Sequence, residues 1–174
     1  MLHKAILAEL GIPAEIIAER KLQSHLEAEA LVIAEIGADG REHRLTPEAA
    51  AQWLKMKTAA QADGIEMFIV SAYRSVDRQA QIIRNKIGAG HSLAEILDVS
   101  APPGYSEHHT GRAIDIGTAE SEDLSIGFGN SSAFTWLQKH AREFGFVMSY
   151  PQGNASGYQY EPWHWCLQPG IQSA

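Results

Sequence analysis

The stretch Ser106-Glu107-His108-His109-Thr110-Gly111-Arg112-Ala113-Ile114-Asp115 decides how the rest of the chain is read. Two adjacent imidazoles are followed, beyond a glycine, by a carboxylate. Gly111 permits a sharp change of direction, so His108 and Asp115 can point into one place although seven residues separate them. The spacing is not that of two histidines on neighbouring helical turns, so a helix face does not supply the geometry. Taken singly, His108 reads equally as a surface histidine and Asp115 as a turn or cap residue. His109 is as good a ligand candidate as its neighbour on these grounds.

Working outward, two further segments change the weight of the first. Upstream lies Ser71-Ala72-Tyr73-Arg74-Ser75 with Gln79; downstream lies Glu161-Pro162-Trp163-His164. The three together offer imidazoles, a carboxylate ligand, a spare glutamate and an arginine, the inventory of a single-zinc peptide hydrolase. His164 is the third ligand candidate. Glu161, three residues earlier and flanked by Trp163 and Trp165, can take a proton from water and return it to a leaving amine. Its bland alternative is a surface glutamate at a strand start. Arg74, at the end of an apolar run, suits an oxyanion or a substrate carboxylate better than a core, although a solvated pairing with Asp77 is the plain alternative. Gln79 stands about one helical turn beyond Ser75. Ser106 can donate to a substrate carboxylate. Tyr73, Tyr105 and Trp163 can wall a small pocket, though aromatic residues are more often simply core. His3, His25, His43, His91 and His140 read as solvated or packed.

The surrounding pattern is mixed. Residues 2–10 and 13–22 have helical spacing, separated by Gly11 and Pro13. Ala30 to Ile36 reads as a strand, and Asp39-Gly40 turns it into a hairpin that returns through Leu45. Thr46-Pro47 starts a helix whose buried face holds Trp53, Met56 and Ala60, ending at Gly64. Ile65 to Val70 is a buried strand that delivers Tyr73 and Arg74. Ser75 caps a helix to about Asn85, and Ser92 with Glu95 forms a capping-box pattern. Pro102-Pro103-Gly104 leads into the second motif as an extended segment. Ser132 caps a helix presenting Phe134, Leu137, Ala141 and Phe144, ended by Gly145. Phe146 to Tyr150 and Tyr160 to Leu167 are the last strands. No βαβ rhythm or phosphate loop is visible, so the expected class is α+β with a small, mostly antiparallel central sheet and flanking helices.

At 174 residues the chain reads as one domain, an N-terminal helical and hairpin extension over about 1–45 followed by a core over 46–168. Apolar content of 45% and charged content of 20% are ordinary for a globular protein. A net charge of −7 argues against nucleic acid. No apolar run approaches the roughly 20 residues that span a bilayer. Glu9, Gly11, Pro13 and Glu15 interrupt any secretory signal pattern. The lone Cys166 excludes an internal disulfide and fits either redox compartment.

The pattern resembles the VanY-type zinc D-alanyl-D-alanine carboxypeptidases of the LAS metallopeptidase group. The S-x-H-x-x-G-x-A-x-D element of that family corresponds to Ser106, His108, Gly111, Ala113 and Asp115. Its E-x-W-H element corresponds to Glu161, Trp163 and His164, and its Y-R-S segment with a downstream glutamine to Tyr73, Arg74, Ser75 and Gln79. Ala94 to Leu97, Pro102 to Tyr105, and Gly153-Asn154 before Gly157-Tyr158 also look like the family, so the resemblance covers roughly residues 45–168. It implies one zinc ion on His108, Asp115 and His164, which settles the choice between the adjacent histidines. It implies Glu161 as catalytic base, with Arg74, Gln79 and Ser106 holding the substrate's terminal residue or stabilising the intermediate. The implied fold places zinc on a central antiparallel sheet. The implied substrate is the D-Ala-D-Ala end of a peptidoglycan stem peptide or precursor, bound by a monomer at the cell envelope or periplasm; without an export signal the cytoplasm stays open. L,D-carboxypeptidase or endopeptidase action on wall peptides is the rival within enzymes. A non-catalytic wall-binding module with a structural zinc is the rival outside them, and Glu161 weighs against it. Cys166 is a departure, since many relatives carry Arg after W-H-x.

Overall fold

The structure, a computed structural model, describes residues 3–170. Its centre is a four-stranded antiparallel sheet in the order β3-β4-β6-β5 (Phe68–Ser71, Ala113–Gly117, His164–Leu167, Phe146–Met148). A separate hairpin, β1 and β2 (Val32–Ile36, Glu42–Leu45), stands beside it. Among the described residues six α-helices surround these strands: α1 (Lys4–Glu9), α2 (Ala14–Glu19), α3 (Pro47–Ala62), α4 (Val76–Gly88), α5 (Leu93–Val99) and α6 (Ser132–His140). The α+β architecture expected from the sequence is the one found.

Strand alternation explains how the sheet presents its chemistry. Side chains of period two send Ile114 and Ile116 of β4, with Trp165 and Leu167 of β6, into one cluster with Trp53, Met56, Leu137 and Phe146. The intervening residues, Asp115 and His164, must therefore face the other side. Register makes them direct cross-strand partners, and Ser71 of β3 opposes Asp115 from the other edge. A one-residue slip would exchange these polar groups for isoleucine and tryptophan, so the apolar core fixes the register of the polar face.

A second apolar cluster joins the N-terminal helices to the opposite flank. Leu7, Leu10 and Ile12 pack with Ala80, Ile83, Ile96, Leu97 and Tyr105 from α4, α5 and the loop that follows. Backbone bonds stitch this early segment to the central motif: the His25 N–H donates to the Gly104 carbonyl and the Ala28 N–H to that of His109. Gly111 has φ +64, and a Cβ there would lie 2.9 Å from Leu31 Cδ2 and 3.2 Å from Thr46 Cγ2. Both the backbone angle and the close approach demand glycine at this turn.

Several boundaries differ from expectation for local reasons. The helices over 2–10 and 13–22 shrink to α1 and α2, and Leu2 lies outside the described residues. Strand β3 starts only at Phe68, and α4 continues past Asn85 to Gly88. Ser131, not Ser132, caps α6: its Oγ accepts from the Phe134 N–H at 3.1 Å, while the Ser132 N–H donates to Glu120. The last strand begins at His164 rather than Tyr160, because Pro162 lacks an N–H and the His164 N–H turns back to the Glu161 carbonyl. The second motif is not extended throughout; Glu107–Thr110 form a 3-10 turn that ends at Gly111. The N-caps at Thr46, Ser75 and Ser92 need no such revision in position: each side chain accepts the N–H three residues on, and Ser92 with Glu95 completes a capping box.

Candidate metal centre and its cleft

Three buried side chains converge where β4 and β6 meet the 3-10 turn. Ligand atoms of His108, Asp115 and His164 all lie within 4.8 Å of one another. His108 Nε2 stands 3.2 Å from Asp115 Oδ2, and His164 Nδ1 stands 3.0 Å from Asp115 Oδ1. The outer ring nitrogens fix the tautomers. His108 Nδ1 is 2.7 Å from the Ala72 carbonyl and must donate to it. His164 Nε2 donates to Glu107 Oε2 at 2.9 Å. In neutral rings the remaining nitrogens, His108 Nε2 and His164 Nδ1, then aim lone pairs at a carboxylate. Lone pairs facing a buried carboxylate repel unless a cation lies between them. Two imidazoles and a carboxylate are donors that zinc accepts, and three protein ligands are the set of an open, catalytic site.

The ionisation of these groups likewise favours positive charge beside the carboxylate, here a second proton on His164. Burial would depress the His164 ring, yet its bonds to Asp115 and Glu107 outweigh that and hold it up at about 10. In His108 burial dominates and its affinity for a proton falls. Asp115 sits far below the ordinary carboxylate range, its two histidine partners overcoming the burial. The cluster thus keeps its carboxylate ionised and gathers positive charge around it.

His109 is excluded as a ligand by its surroundings. Its Nδ1 is 2.6 Å from the Arg74 carbonyl and its Nε2 accepts from the Gly104 N–H at 3.1 Å. Both nitrogens are spent on backbone, and the ring ties the first two motifs together.

The cluster forms the floor of a cleft of about 520 Å³. Arg74, Ser106, Glu161 and Trp163 line it. The Glu161 carboxylate stands 3.9 Å from His164 Nδ1 without bonding to the ligand cluster. Burial pushes its carboxyl up to about 7, which suits a group that exchanges a proton near neutrality. Arg74 donates through Nη1 to Gln79 Oε1 at 2.8 Å and through Nη2 to Ser71 Oγ at 3.0 Å, which aims the guanidinium.

Three expected pocket residues lie elsewhere. Gln79 is buried behind Arg74, with its Nε2 donating to the Ala101 carbonyl at 2.7 Å, and does not reach the cleft lining. The Tyr73 hydroxyl donates to Glu27 of the N-terminal segment. Tyr105 packs into the second apolar cluster. Sequence reasoning in turn passed over Glu107, whose carboxylate orients His164 while accepting from Ser149 Oγ at 2.6 Å. Burial opposes its ionisation, but these partners bring it down to about 2. Its place inside S-E-H, between two flagged residues, was the available signal. Tyr150, Tyr158, Leu124, Ile126 and Lys86 complete the walls, and no spacing rule pointed to them. Cys166 sits on the ligand face of β6, buried opposite Ala113, where burial and the nearby Glu107 push its thiol up.

Comparison with known proteins agrees with this geometry. The family profile described as VanY, D-alanyl-D-alanine carboxypeptidase, matches residues 42–169. YodJ of Bacillus subtilis is 39% identical over 121 residues, 67% of this chain and 44% of that protein. The chain spans less than half the length of the first curated relatives it matches. The structure of the LD-carboxypeptidase LdcB superposes with a TM-score of 0.73 at 33% identity, covering 82% of this chain and 70% of the other. That of the D,D-pentapeptidase VanY from a VanB-type resistance cassette, solved with Zn(II), gives 0.62 at 27% identity over 83% and 80%. The chain belongs to the VanY family of D-alanyl-D-alanine carboxypeptidases.

Proposed function

We propose that this protein is a zinc carboxypeptidase that removes the terminal D-alanine from peptidoglycan stem peptides or their precursors at the cell envelope. The observation that carries the reading is the convergence of His108, Asp115 and His164 on the floor of a cleft, with the Glu161 carboxylate 3.9 Å from His164 Nδ1 and outside the ligand set. A structural zinc site needs no such carboxylate. Zinc bound by these three residues would supply a Lewis acid and acidify a water molecule to about pKa 7.

The chain's own residues supply the remaining parts. Glu161 takes a proton from water and delivers it to the departing amine. Arg74, steered by Gln79 and Ser71, offers N–H donors to the oxygen of the scissile carbonyl as negative charge develops there. Ser106 offers a hydroxyl on the same wall. Glu107 holds the His164 ring in the tautomer that leaves Nδ1 facing the site.

Likeness to LdcB supports a second reading within the same chemistry, release of D-alanine from an L-configured neighbour. Pentapeptide and tetrapeptide stems, incubated with the protein and followed by mass spectrometry, separate the two. The D,D reading expects loss of one alanine from the pentapeptide and an untouched tetrapeptide, with a chelator abolishing the reaction and added zinc restoring it. Cleavage of the tetrapeptide alone gives the L,D assignment, and cleavage of neither overturns the enzyme. No helix among the described residues is long and apolar enough to cross a membrane.

A further inference from the structure

The carboxypeptidase reading leaves open what meets the negative charge of a peptide's free end. Gln79, expected there from the sequence, gives its Nε2 to Ala101 and its Oε1 to Arg74, away from the cleft. Arg74 gives one N–H of Nη1 to Gln79 and one of Nη2 to Ser71, and its remaining donors are those assigned to the scissile carbonyl.

On the same wall stands a second cation, held by one hydrogen bond. Lys86 follows Gln79 by seven residues on α4, two turns on and about 10 Å further along the same face. Its Nζ donates to Ser100 Oγ at 2.7 Å and lines the cleft. Ser100 adjoins Ala101, so Arg74, Gln79, Ala101, Ser100 and Lys86 form one continuous polar wall with a cation at each end. Among the described residues no carboxylate lies within ion-pair distance of Lys86, whereas Lys57, also part-buried, is 2.7 Å from Glu35. Burial, and then the charge of Arg74, already make the ammonium of Lys86 harder to keep protonated. Of the acidic groups that line the cleft, Asp115 is engaged by the two histidines, and Glu161 lies beyond ion-pair distance of Lys86, its charge offsetting only part of that effect. A part-buried cation facing a cleft without its own anion is matched by a ligand that brings one.

We infer that Lys86, held by Ser100, receives the free terminal carboxylate of the substrate peptide and so contributes to exo-specificity, leaving Arg74 to the scissile carbonyl.

The test uses a double-mutant arrangement of protein and ligand. Glu161→Ala protein, which cannot turn over, is titrated calorimetrically with a pentapeptide stem and with the same stem as its C-terminal amide, with and without Lys86→Met. Lys86→Met should weaken the free acid about 10- to 100-fold and leave the amide within about twofold. Lys86→Arg should recover most of the loss. Thermal denaturation and zinc content of each variant separate local from global damage, and both should stay at the Glu161→Ala values. Equal affinity of the free acid with and without Lys86→Met overturns the inference. So does a loss of the same size on the amide, which would assign Lys86 to another group. Binding of neither peptide overturns it as well. Failure of the carboxypeptidase reading shows separately, as intact stems after incubation with the unmutated protein.

Discussion

Two carboxylates in this molecule, Glu35 part-buried and Asp115 buried, have opposite environments, and the contrast separates a fastening from a site. Glu35 of β1 accepts from Trp53 Nε1 at 3.0 Å, Lys57 Nζ at 2.7 Å and the Ile69 N–H at 3.0 Å. Every partner is a donor supplied by the protein, and together they clamp the hairpin onto α3 and β3. Asp115 lies further out of solvent, and it faces two ring nitrogens whose opposite nitrogens are already spent as donors. The first arrangement is complete in itself. The second is complete only with positive charge at its centre. Burial alone therefore does not mark a functional acid; what matters is whether its neighbours still have something to bind.

This contrast can be broken, most severely through Glu161. Replacing it with Ala should lower hydrolysis of the preferred stem by about 10²- to 10⁴-fold while zinc content, measured by elemental analysis, stays at one ion per chain. Loss of zinc together with activity would make Glu161 a ligand and erase its distinction from the floor cluster. Removing the Glu35 carboxylate should have the reverse profile. Glu35→Ala leaves a part-buried Lys57 and a Trp53 N–H without their partner, and should cost about 2–4 kcal/mol in denaturant unfolding, with zinc affinity unchanged. An unaltered midpoint would remove Glu35 from the fastenings.

The smallest of these effects sharpens the boundary between the two classes. Glu107 bonds to a ligand without facing the cluster centre. Glu107→Gln keeps the shape but weakens the acceptor, and should reduce zinc affinity about 10- to 100-fold in competition with a chromophoric chelator. No change would show that the Asp115 and Ala72 contacts alone orient the two rings.

Legibility in the sequence follows the same division. Asp115, His164 and one of the pair His108 and His109 were readable because a metal demands particular side chains at positions a glycine turn and two strands can bring together; the family resemblance chose His108. The helix starts at Thr46, Ser75 and Ser92 were readable because a cap is a local hydrogen bond over three residues. Glu35 was invisible: its partners lie 18, 22 and 34 residues away, and within β1 it reads as one more polar residue. Gln79 and Tyr73 were misplaced toward the pocket since helical spacing gives a direction but not what a neighbouring arginine or glutamate will claim. Lys86, Leu124 and Ile126 came into the cleft through the packing of α4 and of the loop before α6, which no pattern along the chain encodes. Ser131 displaced Ser132 as cap by one residue, because Glu120 engages Ser132 from a segment that spacing does not reveal.

The claim beneath all of this is that Asp115 and its two histidines are built around a divalent ion. Thermal unfolding of metal-free protein, with and without zinc at about a hundred times its dissociation constant, tests it with no reference to any substrate. Zinc should add about 2.7 kcal/mol of stability to the unmutated chain and to Glu35→Ala alike, and almost none to Asp115→Ala. Equal stabilisation of Asp115→Ala, or none of the unmutated chain, would contradict it.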